Sequence, residues 1–262
     1  FFGLNPFPYH VVTTCLLLGN TFLAYRFGLL LTGSELTAGL CSFLVAYHSE
    51  LAQLVYMPSF IYDVLCFTFY FLALNYYLSL RRRGFRMGRR QMAAFVLLYI
   101  GALDSKEMAV TLPGVVLLYE AMWHAPARWS ARSAAAWART EAFPALAAGL
   151  VTLVFVLGKT FGAESLVRTE AYRPVFTWDR YLESTARFLN TLFYQPLDQG
   201  FFGSGRVLLA AALLLGIAWR TRQKLLFFLW CFIFLTPLPI TFVPGRGGGS
   251  LYIPLVGWAV LL

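Results

Sequence analysis

Three charged residues, Asp104, Lys106 and Glu107, lie close together between two apolar runs at 91–103 and 108–123. Neither run suits a surface that faces water, so the charges belong either at a membrane boundary or inside a cavity lined by protein. Asp104 and Glu107 have the spacing of a capping box. This pattern would leave Lys106 in the first turn of a helix, where the helix dipole disfavours a cation. Two interpretations therefore stay open: a structural cap, or a lysine placed to bind an anion.

A second candidate lies around His48 and Asp63. His48 and Glu50 stand where one predicted span ends, and Asp63 falls about one turn inside the next. An ionisable side chain within an apolar helix is expensive to bury and is a functional candidate. The alternative is structural, since the positive end of the helix dipole stabilises a carboxylate in the first turn.

A third candidate is the glycine-rich segment 244–252, which contains Arg246 and ends at Tyr252. Free backbone N–H groups beside a guanidinium make a good phosphate site, particularly just before a helix. A glycine-rich loop can equally be a flexible connector, so both interpretations of this segment stay open.

The composition is that of an integral membrane protein. Of the 262 residues, 59% are hydrophobic and only 13% are charged, and the mean hydropathy is +0.66, whereas a soluble domain has about 25% charged residues. The chain has neither a P-loop motif nor metal-ligand spacing among its cysteines, which predicts no nucleotide hydrolysis, no zinc site and no disulfide framework. All four cysteines fall within apolar runs and are expected to be small buried hydrophobes: Cys15, Cys41, Cys66 and Cys231.

The apolar runs predict an all-α fold, a polytopic transmembrane bundle of about eight segments that forms one domain over residues 1–262. The chain lacks an initiator Met and stops within an apolar run, so we expect it to be truncated at both ends. The predicted segments are 9–31, 36–55, 58–80, 91–103, 108–123, 142–157, 207–219 and 225–242, with a further run from 251. In the long polar stretch 159–206, the pattern of 176–192 predicts an amphipathic helix that lies in the membrane interface.

The cations set the predicted orientation, because Lys and Arg favour the cytoplasmic side of a membrane protein. With alternating segments, the six arginines of 81–90 and the cations of 220–224 lie on that side. The non-cytoplasmic face then collects most candidates: His10, His48, Asp63, Asp104, Lys106, Glu107, Arg246 and the 159–206 loop. Next to a membrane, an arginine cluster is typical of a topology signal or of contact with anionic lipid, so we predict the bilayer as a partner and no nucleic acid.

Four separated patches resemble one family. The segment Leu103-Asp104-Ser105-Lys106-Glu107, followed by 109–113 and 117–120, is similar to a Ser-Lys-Glu segment of polytopic O-mannosyltransferase-like proteins of the GT-C glycosyltransferase superfamily, which are often followed by tetratricopeptide repeats. Three weaker patches occur in the family's order: Tyr9-His10 with Asn20, His48 with Asp63, and Arg246 with Tyr252-Ile253-Pro254. Four positions depart from the family pattern: Thr13, Leu17, Ser49 and Gln53.

The resemblance implies transfer of a sugar, mannose among the candidates, from a polyprenyl-phosphate-linked donor to a protein or glycan acceptor on the non-cytoplasmic face. It implies that Lys106 and Arg246 bind the donor phosphate, and that Asp104 and Glu107 position Lys106. The cavity is expected to be lined by His10, His48, Asp63, Asp104, Glu107 and Tyr252. The family's catalytic carboxylate belongs to an outer loop that would precede Phe1, so we expect it upstream of this chain, which alone would be inactive. A role for a divalent metal is left open.

Two other functions fit the same charges. In a transporter or lipid flippase they would line a substrate path. In a non-catalytic membrane scaffold Asp104 and Glu107 would only cap a helix. The chain has no visible internal repeat, which weighs against a transporter.

Overall fold

Each long apolar run of the sequence is helical. The computed structural model describes residues 3, 5–161, 173–196, 200–245 and 248–262, and these contain helices and no strand, which confirms the all-α prediction. The helices are α1 (Phe7–Thr32), α2 (Glu35–Tyr47), α3 (Gln53–Tyr56), α4 (Ile61–Arg82), α5 (Arg89–Ser105), α6 (Leu112–Trp123), α7 (Ala131–Thr140), α8 (Phe143–Phe161), α9 (Trp178–Leu192), α10 (Ser204–Thr221), α11 (Lys224–Leu235), α12 (Leu238–Thr241) and α13 (Tyr252–Leu261). Short 3₁₀ turns cover Ser49–Leu51, Pro58–Phe60, Glu107–Thr111 and Gly248–Leu251.

Within the described ranges, five helical stretches are long and apolar enough to cross a membrane: Phe7–Thr32, Pro58–Arg82, Phe143–Phe161, Ser204–Thr221 and Lys224–Thr241. The polar residues His48, Ser49, Glu50 and Gln53 predict an interruption near the far end of segment 36–55. This is confirmed, because α2 stops at Tyr47 and the backbone of His48 is extended. The predicted helix over 225–242 is interrupted after Leu235. Pro237 and Pro239 follow this break, and a proline supplies no N–H to the helical ladder.

Helix α4 is the most enclosed of the long helices, with buried side chains around most of its circumference. It packs against α1 on one side and α5 on another. Asn20 of α1 binds it twice: its Nδ2 donates to Val64 O at 3.1 Å, and its Oδ1 accepts from Thr68 Oγ1 at 2.8 Å. Further along, Asn75 Nδ2 donates to Leu23 O at 2.9 Å. Polar bonds of this kind hold helices together where water does not compete for the same groups.

The hairpin of α1 and α2 depends on two small features. Gly33 takes the left-handed conformation (φ 72°) that ends α1, and the Ser34 side chain caps α2 by accepting from Thr37 N. Gly28 then allows close packing, because a Cβ there would lie 3.1 Å from the Cα of Ala38.

The C-terminal end of α4 carries a buried charge cluster. Arg81 donates to both oxygens of Glu120, each at 2.9 Å, and Tyr77 Oη donates to Glu120 Oε1 at 2.6 Å. Arg81 also donates to Glu141, whose other oxygen accepts from Arg86. Burial raises the pKa of Glu141, but hydrogen bonds and charge from Arg81 and Arg86 outweigh it, so the net pKa is below its ordinary value.

The arginine cluster of 81–90 is not one exposed segment, because Arg81 belongs to the last turn of α4 and is buried, and Arg89 begins α5. The cluster joins the end of α4 (Arg81), the end of α6 (Glu120) and the turn between α7 and α8 (Glu141). His124 lies beside it, with Nδ1 3.1 Å from Glu120 Oε2 but not aligned for a hydrogen bond. Burial lowers the pKa of His124 more than Glu120 raises it. We call this region the Arg81 end of the bundle.

Replacing Arg81 with Met should reduce the free energy of unfolding by about 3 kcal/mol, because it leaves the fully buried Glu120 carboxylate without its cation. Chemical denaturation of the purified protein in detergent measures the change. Arg83→Met is the matched control, since Arg83 is exposed and adjacent in the chain. Equal losses in the two variants would show that the buried pair does not stabilise the fold.

Candidate functional site

Lys106 lies at the junction between two helices. Helix α5 ends at Ser105, and Lys106 is extended (φ −162°, ψ 150°), with its N–H bonded to Ala102 O at 3.1 Å. The predicted capping box is therefore wrong: Asp104 belongs to the last turn of α5, and no side chain caps the 3₁₀ turn that starts at Glu107. The lysine instead follows the negative end of the α5 dipole, which favours a cation.

The ammonium group of Lys106 joins two other candidate regions. Its Nζ donates to Asp63 Oδ1 at 2.5 Å and to Ser250 Oγ at 3.0 Å. Both side chains of the ion pair are largely buried, with 14% of Lys106 and 6% of Asp63 exposed. Asp63 lies in the first turn of α4, so the helix dipole and the lysine both stabilise its carboxylate. We call this region, formed by Asp63, Lys106 and Ser250, the Lys106 end of the bundle.

Glycines bring Ser250 to this position. A Cβ on Gly249 would lie 2.8 Å from Leu54 Cδ2, and Gly248 has a left-handed backbone (φ 58°). Both positions therefore favour glycine for packing against α3 and the 58–60 turn, which accounts for part of the glycine-rich segment. Two residues later, the ring of Tyr252 stacks on Phe67 with centroids 3.9 Å apart.

The space directly around the ion pair is closed. Asp63, Cys66, Lys106, Ser250 and Tyr252 line a cavity of only about 10 Å³, which is smaller than one water molecule needs. The structure thus brings together three predicted site residues, Asp63, Lys106 and Tyr252, in a well-packed constellation.

On its other side, Lys106 lines an open cleft of about 400 Å³. Asp104, Glu107 and Lys159 line the same cleft, and all three are exposed. Lys159, at the end of α8, also lies over the Phe155 ring at 5.6 Å from its centroid. The cleft therefore offers two cations and two carboxylates to a ligand, with Lys106 held at its inner wall.

A larger apolar groove adjoins this cleft. It has a volume of about 920 Å³ and lies between α6, α9 and α11. Three residues line both spaces: Phe176, Leu238 and Phe242. The rings of Phe176 and Phe242 are 5.1 Å apart and form part of this shared wall. The cleft is lined by charged side chains, whereas the lining of the adjoining groove is almost wholly apolar.

The remaining predicted site residues lie elsewhere or outside the described residues. A ring nitrogen of His10 is 3.1 Å from Val55 O. His48 Nε2 is 3.0 Å from Leu192 O, and its ring stacks on Tyr194. Neither histidine lines the two cavities around Lys106 or the apolar groove. Arg246 lies outside the described residues, so its phosphate-binding role stays a prediction.

The described residues contain no group of three His, Cys, Asp or Glu side chains that could hold a metal ion. Among the cysteines, Cys41 and Cys66 are buried and Cys231 is half-buried. Cys15 is exposed, which contradicts the expectation that all four are buried.

Sequence reasoning missed two residues of this site. The sequence identifies Ser250 only as part of a glycine-rich segment, although its place two residues before Tyr252 puts it at the start of a helix. The sequence pattern places Lys159 in a long polar stretch, although this residue belongs to α8. The shared aromatic wall also had no sequence signal, because Phe176 and Phe242 are far apart in the chain.

Comparison with known proteins adds no further assignment: no family model matches the chain, and searches of curated proteins and of solved structures found no match.

Replacing Asp63 with Asn should lower the free energy of unfolding by about 2–3 kcal/mol, because Lys106 then stays largely buried without its counter-charge. In the double variant Asp63→Asn/Lys106→Met the losses should be non-additive by about 1 kcal/mol or more, as for residues in direct contact. Chemical denaturation in detergent measures all three variants.

The control for this cycle is Glu35→Gln with Lys106→Met. Glu35 is exposed and lies beside the α1–α2 turn, close to Arg82 at the other end of the bundle, so these losses should add. Additive losses for Asp63 and Lys106 would contradict the ion pair.

Proposed function

We propose that this chain is the multi-pass membrane core of a GT-C type glycosyltransferase, with about eight membrane segments. It binds a polyprenyl-phosphate-linked sugar, mannose being one candidate, at the Lys106 end and presents it to a protein or glycan acceptor on the non-cytoplasmic face. The bundle supplies the binding site for the donor.

The exterior of the bundle supports membrane insertion. Helices α8 and α10 expose large aliphatic side chains along their length, among them Leu150, Val154, Leu209 and Leu213. Contiguous apolar surfaces of this size are rare on monomeric soluble proteins. The hydrocarbon core of a bilayer suits these exposed apolar side chains, since it stabilises apolar groups and helices that satisfy their own backbone hydrogen bonds.

The spacing of charges on α4 supports the same arrangement. No residue between Asp63 and Arg81 is charged. At 1.5 Å per residue this stretch is about 27 Å long, close to the thickness of the hydrocarbon core. The two ion-pair groups thus fall near the two membrane boundaries. The basic Arg81 end suits the cytoplasmic side, which leaves the Lys106 end on the opposite face.

The observation that carries the donor assignment is that the charged cleft adjoins the apolar groove, with Phe176, Leu238 and Phe242 lining both. A lipid-linked sugar phosphate is anionic at its head and apolar along its tail. The head fits the cleft, where Lys106 and Lys159 are available, and the tail fits the groove beyond Phe176 and Phe242. Cations that neutralise a phosphate form strong, charge-assisted hydrogen bonds.

The same geometry favours an enzyme over a transporter. Secondary transporters bind their substrates near the bilayer midplane, commonly at broken helices. Here α4 is continuous and uncharged through its middle, and its charged groups lie at its ends. A site at one membrane face is the arrangement that transfer from a lipid carrier requires.

Photolabelling tests the donor site directly, because it measures binding and does not require sugar transfer. The full chain in nanodiscs is exposed to a photoreactive polyprenyl phosphate, and label on the chain is counted by mass spectrometry. Lys106→Ala should reduce labelling by about tenfold, because a charge-assisted hydrogen bond to the phosphate is lost. Lys106→Arg should retain most of it.

The matched control is Arg132→Ala, which removes one exposed cation from α7 at the other end of the bundle and should label like the wild type. Melting temperatures of all variants separate lost binding from lost folding. Undiminished labelling of folded Lys106→Ala would overturn the donor site.

A further inference from the structure

A separate cavity lies at the turn between α10 and α11, at the opposite end of the bundle from Lys106. Its volume is about 570 Å³. The lining residues include Met122, Trp219, Arg222, Gln223, Lys224 and Phe227. Met122 belongs to the last turns of α6, two residues after Glu120, so the cavity lies at the Arg81 end of the bundle.

Two cations in this cavity have no anionic partner in the described part of the protein. The ion pairs found there involve neither Arg222 nor Lys224. The sequence from 199 to 262 contains no Asp or Glu at all. Arg81 and Arg86 at this end are paired with carboxylates, whereas Arg222 and Lys224 line a cavity without such a partner, so the cavity carries uncompensated positive charge.

The cavity is also placed at a membrane boundary. The two helices that meet here, Ser204–Thr221 and Lys224–Thr241, are both candidate spans. Trp219 is 80% exposed, and Trp is enriched where the hydrocarbon core meets the headgroups. Phe227 and Met122 provide an apolar floor below the two cations.

The backbone at Arg222 is unusual. Its φ of 54° is left-handed, and among the described residues only Tyr194 is another non-glycine residue with positive φ. Helices that end in this conformation commonly use glycine there. An arginine at this position is locally strained, and such strain is found at functional sites.

We propose that this cavity binds the headgroup of an anionic phospholipid from the adjoining leaflet. Arg222 and Lys224 contact the lipid phosphate, while Trp219 and Phe227 contact the glycerol and the first methylenes of the acyl chains. A free phosphate ion would use the two cations but not the apolar floor or the exposed indole. The inference requires the membrane insertion proposed above but is independent of sugar transfer.

The test uses the full chain purified in detergent and offered an equal mixture of phosphatidylglycerol and phosphatidylcholine. Native mass spectrometry counts the lipids retained. The wild type should prefer phosphatidylglycerol, and Arg222→Gln/Lys224→Gln should lose that preference by about tenfold or more, because each cation near an anionic lipid contributes about a factor of five.

The matched control is Arg128→Gln/Arg132→Gln, which removes two exposed cations from the same end without touching the cavity. It should keep the wild-type preference. Equal losses in both double variants would mean a diffuse attraction and would overturn the site. Displacement of the lipid by soluble glycerol phosphate would also overturn the site, because the ligand would then be a free phosphate compound and not a phospholipid. A chain that does not insert into bilayers would instead defeat the membrane proposal itself.

A single substitution separates binding from folding. Arg222→Gly relieves the left-handed backbone, so the melting temperature in phosphatidylcholine should stay the same or rise. The preference for phosphatidylglycerol should nevertheless fall. A lower melting temperature with an unchanged lipid preference would show that Arg222 serves the fold and not a lipid.

Discussion

Pairing of charges at the two ends of one apolar helix is the constraint on which this structure depends. Helix α4 is buried on most sides, and a lone charge at either end would be costly there. Asp63 is paired with Lys106 at one end, and Arg81 with Glu120 at the other. Each pair also connects α4 to the neighbouring helices. The fold can therefore enclose α4 without leaving an isolated ion in the interior.

The same constraint determines where binding can occur. Because α4 carries no charge between Asp63 and Arg81, its charged groups lie only at its two ends. At the Lys106 end, Lys106 lines an open cleft, and an apolar groove adjoins that cleft along a shared wall. At the Arg81 end, carboxylates pair with Arg81 and Arg86, whereas Arg222 and Lys224 line a cavity at the α10–α11 turn and form no ion pair in the described part of the chain. The two ends thus differ in the ligands that they suit.

Much of the fold follows from the sequence, because long apolar runs leave few alternatives to helices. The alternating topology also predicts Asp63 and Lys106 on one face of the bundle, and the structure brings the two side chains together. It misplaced Lys106 within a helix start, because the capping-box spacing of Asp104 and Glu107 does not reveal that α5 continues to Ser105. The hydroxyl of Ser250 and the wall formed by Phe176 and Phe242 depend on contacts between distant segments, which local patterns do not encode.

The most direct measurement of the central claim is the sidedness of the two ends. Single cysteines at Asp104 and Arg83, in a background with Cys15 replaced, are labelled with a membrane-impermeant thiol reagent in sealed, oriented vesicles. We expect the two positions to label from opposite sides, with position 83 on the cytoplasmic side. Labelling of both from the same side would contradict a helix α4 that crosses the bilayer with one charge pair at each boundary.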